Sequence, residues 1–598
     1  MKHHRLHSLD ITVHIFLSVL FLVTAVCAAD APKAPLLAGA ATSNITPVLG
    51  TAIIGGFLPI PAANVHDELH ARCLVLDDGQ TKLALVVVEL LGIGDSVSIE
   101  ARKLIEKETG IPSSNVLISA IHTHSAPSAL GTEFKSPQKA DNYQLFVARR
   151  IADGVKCAAN RLRPAEVGFA TAQAPEHVFN RRWFLKSGAI PNNPFGGTDQ
   201  VRMNPPAGSP DLLKPAGPTD PTVSILAVRE PGGRPIAVYS AYSLHYVGGV
   251  ARGDISADYY GMYCSRLERL MHGNEQDPPM VAMMANGTSA DINNINFVHP
   301  RPPKKSYEQM RFVADDLAGK VYAALAHIEY RDRVTLAARY RELKISPRRP
   351  TDGQMAWARQ TLAKPAPAPG KADLSRIYAQ RTVEIAGYPA AIPVALQVLR
   401  IGGVCIGSMP NEVFCEIGLE FRKRSPVQPA FLVELAHGYF GYLPTPKQHE
   451  LGGYETWLGT NHLEPQASEK MLGALLEMAA EVRDVDSMEI KFQRGVHYKT
   501  LMYSGDALFE ERIRSLQKEY SKLYSEDIPI RLSPKVAKMA VNVEAEKQRI
   551  QIKPHCGKTS PNLNDVPVRD LLQFLCDILS VRVTYQKDGA VIEAKEGP

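Results

Sequence analysis

From residue 36 to residue 486, short apolar runs alternate with amphipathic stretches, and this alternation constrains the fold more than any other feature. Residues 82–90 (KLALVVVEL), 115–121 (NVLISAI) and 221–228 (PTVSILAV) have the length and β-branched content of buried strands. Residues 142–162 (NYQLFVARRIADGVKCAANRL) and 469–482 (EKMLGALLEMAAEV) space their apolar side chains as helices do. A chain that keeps changing period in this way packs helices on sheets, which predicts an α/β layer architecture with mixed sheets. Two stretches rich in Pro with Gly or Ala, 205–219 and 364–370, are expected loops, the second an insertion. With 598 residues, one core is too few. The texture changes after about residue 487. Residues 506–524 form a charged helix, then 566–580 read as helix, 581–585 as strand, Lys587-Asp588-Gly589 as a turn and the rest as a last strand. The expected units are therefore 36–487, a charged helical linker 488–525 and a small α+β module 526–598.

The N-terminus is read separately. Lys2, His3, His4 and Arg5 precede residues 15–29 (IFLSVLFLVTAVCAA), an apolar run of about 15 residues that ends in small side chains. This is the pattern of a secretory signal over residues 1–29, and it is too short to span a bilayer comfortably. Cleavage is expected after Ala28 or Ala29, and the mature chain is expected to be exported, periplasmic or secreted. Cys27 follows Val26 where lipid attachment prefers a small residue, so a lipoprotein is the lesser reading. The 67 basic and 62 acidic residues nearly balance, with no dense Lys/Arg block, which speaks against nucleic acid as a partner. The other seven cysteines (Cys73, Cys157, Cys264, Cys405, Cys415, Cys556 and Cys576) are odd in number and lack CxxC spacing. That argues against a disulfide framework or a thiolate zinc site and for buried small side chains.

Polar motifs stand where apolar runs end. His122 and His124 follow the second strand-like run, and on a strand such a pair points to one face. His245 ends another run in SLHYVGG, followed by ISADYYG. Ser289 lies in MMANGTSADINNI, close to a nucleophile elbow but without its second glycine. Glu412 follows a Pro-Asn turn in GSMPNEVFCEIG, where a first-turn helix carboxylate commonly serves only the helix dipole. Tyr439 and Tyr442 sit in the Gly-broken AHGYFGYLPT, a setting in which tyrosines usually pack. HDELH, residues 66–70, has histidines at i and i+4 but not in the zincin order. It runs into a strand, where they would not converge.

Taken in order, His-Thr-His-Ser-x-Pro, a strand-end His with SADY, a Gly-x-Ser turn, Pro-x-Glu-Val and Tyr-x-x-Tyr resemble the neutral/alkaline (non-lysosomal) ceramidase family. NITP (44–47), FNRR (179–182), GPTDPTVSIL (217–226) and GGYET (452–456) add to the resemblance, which spans about residues 36–485. It implies a zinc amidase that splits N-acylsphingosine into sphingosine and a fatty acid. Carried over by motif, His122, His245, Glu412 and Tyr442 would bind Zn²⁺, Ser289 would be the catalytic serine, and His124 and Arg181 would line the reacting centre. Two imidazoles, a carboxylate and a phenol are donors that zinc accepts while keeping one position open. His124 would hydrogen-bond the tetrahedral intermediate or shuttle a proton, and Arg181 would offer a fixed cationic fork to an oxyanion or carboxylate.

The pattern departs from the family at two places, GTSADIN around Ser289 and NRRWFLKSGAIPNNP after Arg181, both where a sphingoid chain would lie. The family's immunoglobulin-like C-terminal domain is not evident. The tail instead resembles the N-terminal modules of secretins and related envelope proteins, which implies an envelope protein partner. Ceramide or another N-acyl lipid is the implied substrate, taken up at a membrane surface. Whether Ser289 attacks or orients water stays open. Also open are hydrolysis of a non-lipid amide or ester, and a degenerate domain that binds without turnover.

Overall fold

The computed structural model describes residues 34–130, 140–368 and 371–483, and beyond them 495–496, 507–524, 529–533, 540–541, 566–567, 572, 576, 581–586 and 589–594. The expected secretory signal, 1–29, lies outside the described residues.

Three strand–helix–strand units organise the large domain. In the first, Lys82–Val88 leads through helix Asp95–Thr109 to the parallel strand Val116–Ala120. In the second, Pro235–Tyr242 leads through helix Asp258–Leu270 to Val281–Asn286. In the third, Val404–Ser408 leads through helix Cys415–Arg424 to Ala430–Val433. Parallel neighbours need such a crossover, and their two covered faces explain runs such as VLISA and VAMMAN in which every residue is buried.

Antiparallel strands widen each pair into a mixed sheet. His70–Asp77, Leu37–Asn44 and Arg163–Pro164 complete a five-stranded sheet on the first unit. Thr222–Arg229 and Glu166–Gln173 join the second, and Ile392–Ile401 and Leu336–Ile345 the third, giving four strands each. One apolar core joins the first two sheets and reaches the third, and another lies between the third sheet and helix Ala467–Arg483.

The carboxyl ends of the three parallel pairs meet. The Ala120 amide donates to the Leu435 carbonyl, His437 to Ile118 and Glu434 to Asn286. In open α/β sheets this is the end at which ligands bind.

Some sequence expectations need correction. Within 205–219, Leu212–Pro215 is a strand on the edge of a three-stranded sheet, paired with Arg182–Leu185. An edge strand tolerates Pro215 because only one side must pair. The expected inserted loop lies between helices Asp352–Ala363 and Leu374–Ala386, which pack against each other as an arm inserted in the chain between strands Leu336–Ile345 and Ile392–Ile401. Cys157 is exposed, whereas the other described cysteines are buried, and burial pushes the Cys264 and Cys405 thiols up to about 12.

In the tail, Phe509–Tyr524 is helical, and strands Val581–Gln586 and Gly589–Ala594 pair antiparallel, with Ile530–Leu532 parallel to the second. Most of the helix expected over 566–580 lies outside the described residues, but Val566–Pro567 is strand, paired with Gly495–Val496. Among the described residues no helix is long and apolar enough to cross a membrane.

Candidate metal centre

The first parallel strand ends at Ala120, so the alternation of a strand does not bring His122 and His124 together. A strained turn does. His122 has φ 68°, a left-handed conformation that costs a non-glycine residue roughly 1–3 kcal/mol and persists only where its surroundings impose it. Its amide donates to the Leu90 carbonyl (3.0 Å) and its Nδ1 to the Leu91 carbonyl (2.8 Å), leaving Nε2 with a free lone pair. His124 Nε2 lies 3.2 Å from that atom, and the His124 ring stacks on Tyr246 with centroids 3.8 Å apart. Gly55 makes room: a Cβ there would come within 2.6 Å of the His124 Cβ.

His245 follows strand Pro235–Tyr242, and its ring centroid lies 4.8 Å from that of His122. The SADYY segment fixes this position. Tyr259 and Tyr260 both donate to the Leu244 carbonyl, and the buried Asp258 carboxylate accepts from the amides of Val247 and Gly248, each at 2.9 Å. Burial pushes the Asp258 carboxyl up to about 6 from its ordinary 3.8, although three backbone amides oppose it. Folding thus favours protonated Asp258, a contribution present below about pH 4 and lost as pH rises through 6. We expect wild type to lose about 3 kcal/mol of unfolding free energy across that window relative to Asp258→Asn, which carries no such proton. Urea titrations of both proteins between pH 4 and 7 check this, and parallel pH profiles would refute it.

The third unit supplies the oxygen donors. Glu412 begins a short strand rather than a helix, and in its parallel ladder it pairs directly with Tyr442. Glu412 Oε2 lies 3.4 Å from His122 Nε2 and 3.9 Å from His245 Nε2, and it is buried without a hydrogen-bond partner. Its other oxygen accepts from the Tyr439 hydroxyl at 2.6 Å. The Tyr442 hydroxyl accepts from Arg181 Nη2 at 3.1 Å, and Arg181 Nε pairs with Glu455 Oε1 at 3.1 Å. The other Glu455 oxygen holds Arg182 Nη1 at 2.6 Å. Burial, reinforced by neighbouring His122 and Arg181, holds the His124 and His245 imidazoles well below their usual range, so both are neutral near pH 7. Burial and the Glu412 carboxylate push the Tyr442 phenol well up.

These donors fit a metal ion. Bonds of about 2.1 Å in a tetrahedron put ligand atoms roughly 3.4 Å apart, close to the 3.4 and 3.9 Å that separate Glu412 Oε2 from the His122 and His245 nitrogens. His122, His124 and His245 also converge, with ligand atoms within 4.8 Å of one another. His124 differs in keeping partial exposure to the cavity, whereas His122 and His245 are buried. A second cluster, Glu176, His177 and Asp316, already holds a cation, the Lys320 ammonium, which pairs with both carboxylates.

A cavity of about 710 Å³ opens over the centre. It is lined by His122, His124, His245, Arg181, Glu412 and Tyr442, so these sequence candidates are brought together. Ser289 is not among the lining residues. It is 0% exposed, and its hydroxyl donates to Glu434 Oε1 at 2.7 Å, with its amide directed to Oε2 at 3.3 Å. Glu434 Oε2 also takes the Val413 amide at 2.6 Å, and burial pushes this carboxyl well up. Ser289 is therefore braced behind the centre instead of exposed on an elbow, and Glu434 ties it to the residue after Glu412. The 66–70 histidines lie elsewhere: His66 stacks on Tyr307 and His70 bonds Glu89.

The motifs did not point to Glu434, Glu455, Tyr246 or the role of Tyr439. A carboxylate directly after the wholly apolar 430–433 is the one local signal that could have marked Glu434.

Residues 37–300 match the family described as neutral/alkaline non-lysosomal ceramidase, N-terminal. No curated protein matches the sequence. Among solved structures, a ceramidase complexed with C2 is 16% identical, with 76% of each chain covered and a TM-score of 0.58. The neutral ceramidase from Pseudomonas aeruginosa is 18% identical, covering 76% of this chain and 75% of its own, with a TM-score of 0.56. The resemblance carried by the motifs is thus met over residues 37–300 by the N-terminal domain of the neutral/alkaline non-lysosomal ceramidases, and the mixed α/β fold is that of the neutral ceramidases.

Proposed function

We propose that this chain is an exported zinc-dependent hydrolase of a linear amide bond, ceramidase-like in its chemistry, in which His122, His245, Glu412 and Tyr442 hold the metal. The observation that carries this reading is the orphaned Glu412 Oε2, buried between two imidazole nitrogens with no proton donor of its own. A buried carboxylate oxygen left without a partner is costly, and a cation is what relieves that cost. Nitrogen and oxygen donors of this kind suit zinc, which when bound polarises a carbonyl as a Lewis acid.

The chain's own groups supply the rest. His124, neutral and open to the cavity, takes a proton from the attacking water and returns it to the nitrogen of the breaking C–N bond. Arg181, fixed by Glu455 and Tyr442, presents its positive charge to the oxygen that becomes negative as the carbonyl is attacked. The burial of Ser289 against Glu434 favours water over the serine as the nucleophile. On this reading Ser289→Ala keeps its metal and loses no more than about tenfold in rate, the scale of one buried hydrogen bond. Complete loss of turnover with metal retained would restore the serine as the attacking group. The basic start and apolar run of residues 2–29 support export.

The reading is tested by amine release from a short-chain fluorescent ceramide, with and without a zinc chelator. Chelator-sensitive release supports it. No release from a chain that carries one zinc per molecule would remove ceramide while leaving the metal, and no release with no zinc would leave a binding domain.

A further inference from the structure

We propose that the cavity takes an amide whose amine fragment carries an anionic group, a carboxylate or a phosphate, and that Arg381 reads that group. This rests on the amide-hydrolase reading above and names its substrate class.

Arg381 belongs to helix Leu374–Ala386 of the inserted arm, and it lines the same cavity as the metal centre. Its position is built. The helix packs so closely on Gly459 that a Cβ there would come within 2.6 Å of the Arg381 Cβ. The guanidinium then lies over the rings of Tyr378, at 5.2 Å from the centroid, and Phe57, at 5.8 Å. Ring faces steady the cation without using its N–H edge. No carboxylate among the described residues lies within ion-pair distance of it. Arg202, on strand Val201–Met203, also lines the cavity and has no carboxylate within ion-pair distance among the described residues.

Other charges on the wall are already engaged. Arg181 shares Glu455 with Arg182. Asp199 accepts from Trp457 Nε1 (2.8 Å) and Asn193 Nδ2 (3.2 Å), and Glu384 accepts from Gln380. Glu412 belongs to the metal centre. His462, also on the wall, is held down to about 4 by burial and by Arg381, so it adds no positive charge at neutral pH. A guanidinium held this way is a preformed fork that matches the two oxygens of a carboxylate or phosphate. A neutral amino alcohol would leave it unanswered, so the device selects against such a substrate.

The test measures binding, so it does not depend on turnover. Octanesulfonylglycine, octanesulfonylglycinamide and octanesulfonyl-phosphoethanolamine are sulfonamide probes that the enzyme does not cleave, and they differ in head group. Isothermal titration into the full-length wild-type chain should show at least one anionic probe binding about tenfold or more tightly than the glycinamide, and the tighter of the two names carboxylate or phosphate. In Arg381→Gln the ratio should fall towards one. Arg381→Lys, which keeps a charge but loses the fork, should lie between and covers the case in which the glutamine variant fails to fold. Equal affinities in wild type, or a preference that survives in both Arg381 variants, would overturn the proposal. Failure of the hydrolase reading shows separately, as absence of amine release by wild type from the cleavable octanoyl amides of glycine, glycinamide and phosphoethanolamine, whatever the affinities of the probes.

Discussion

Glu412→Gln is expected to bind zinc at least about a hundredfold more weakly than wild type, and to lose turnover in proportion. Removing a partner that merely orients a metal ligand costs ten- to a hundredfold in affinity, so removing the anionic ligand itself should cost the upper end or more. The mechanism is local. The amide can still accept from Tyr439 with its carbonyl, as Glu412 Oε1 does at 2.6 Å. Its NH₂ then occupies the place of Oε2, 3.4 Å from the His122 nitrogen and 3.9 Å from the His245 nitrogen, and turns N–H groups towards the lone pairs that should face the metal. Metal content and chelator competition measure the effect. His124→Ala is the companion: it should keep the metal and lose proton transfer. Full occupancy in Glu412→Gln together with loss in His124→Ala would transfer the site to the three histidines.

Glu455→Ala should destabilise the domain by about 3–5 kcal/mol, the cost of leaving buried charge without its partner. Glu455 and Arg182 are both 0% exposed, and Arg181 shares the same carboxylate. Arg182 retains only neutral acceptors, the side-chain and main-chain oxygens of Gln448 and the Gly452 carbonyl. Arg181 would also lose the contact that directs it to Tyr442, so the folded fraction should turn over slowly as well. Urea unfolding followed by tryptophan fluorescence reports the first effect, because Trp183 and Trp457 lie beside this network. A change below about 1 kcal/mol would mean that the pair is held open to water.

Much of the centre is legible in the amino-acid sequence. The apolar runs that end at His122 and His245 belong to two of the three parallel pairs, and strand ends are where such folds place chemistry. The order of the motifs then brings Glu412, Tyr442 and Arg181 into the same centre. The local geometry is less legible. His122 and His124 converge through a turn at φ 68°, and Glu412 sits on a strand rather than in a helix. Both depend on what the backbone meets across the sheet, namely Leu90 for His122 and Gly441 for Glu412.

The sequence by itself determined the main strands and helices of the large domain, because hydrophobic period is a local property, and which residues stand at the ends of the first two parallel pairs. Only the tertiary structure decided what those residues do. Arg181 meets Glu455 across 274 positions, and Ser289 meets Glu434 across 145. No periodicity reaches over such separations. Whether a serine faces a cavity or a buried carboxylate, and whether an arginine finds a partner or keeps its fork free, is settled by the packing of three sheets against one another, where an unpaired charge costs most.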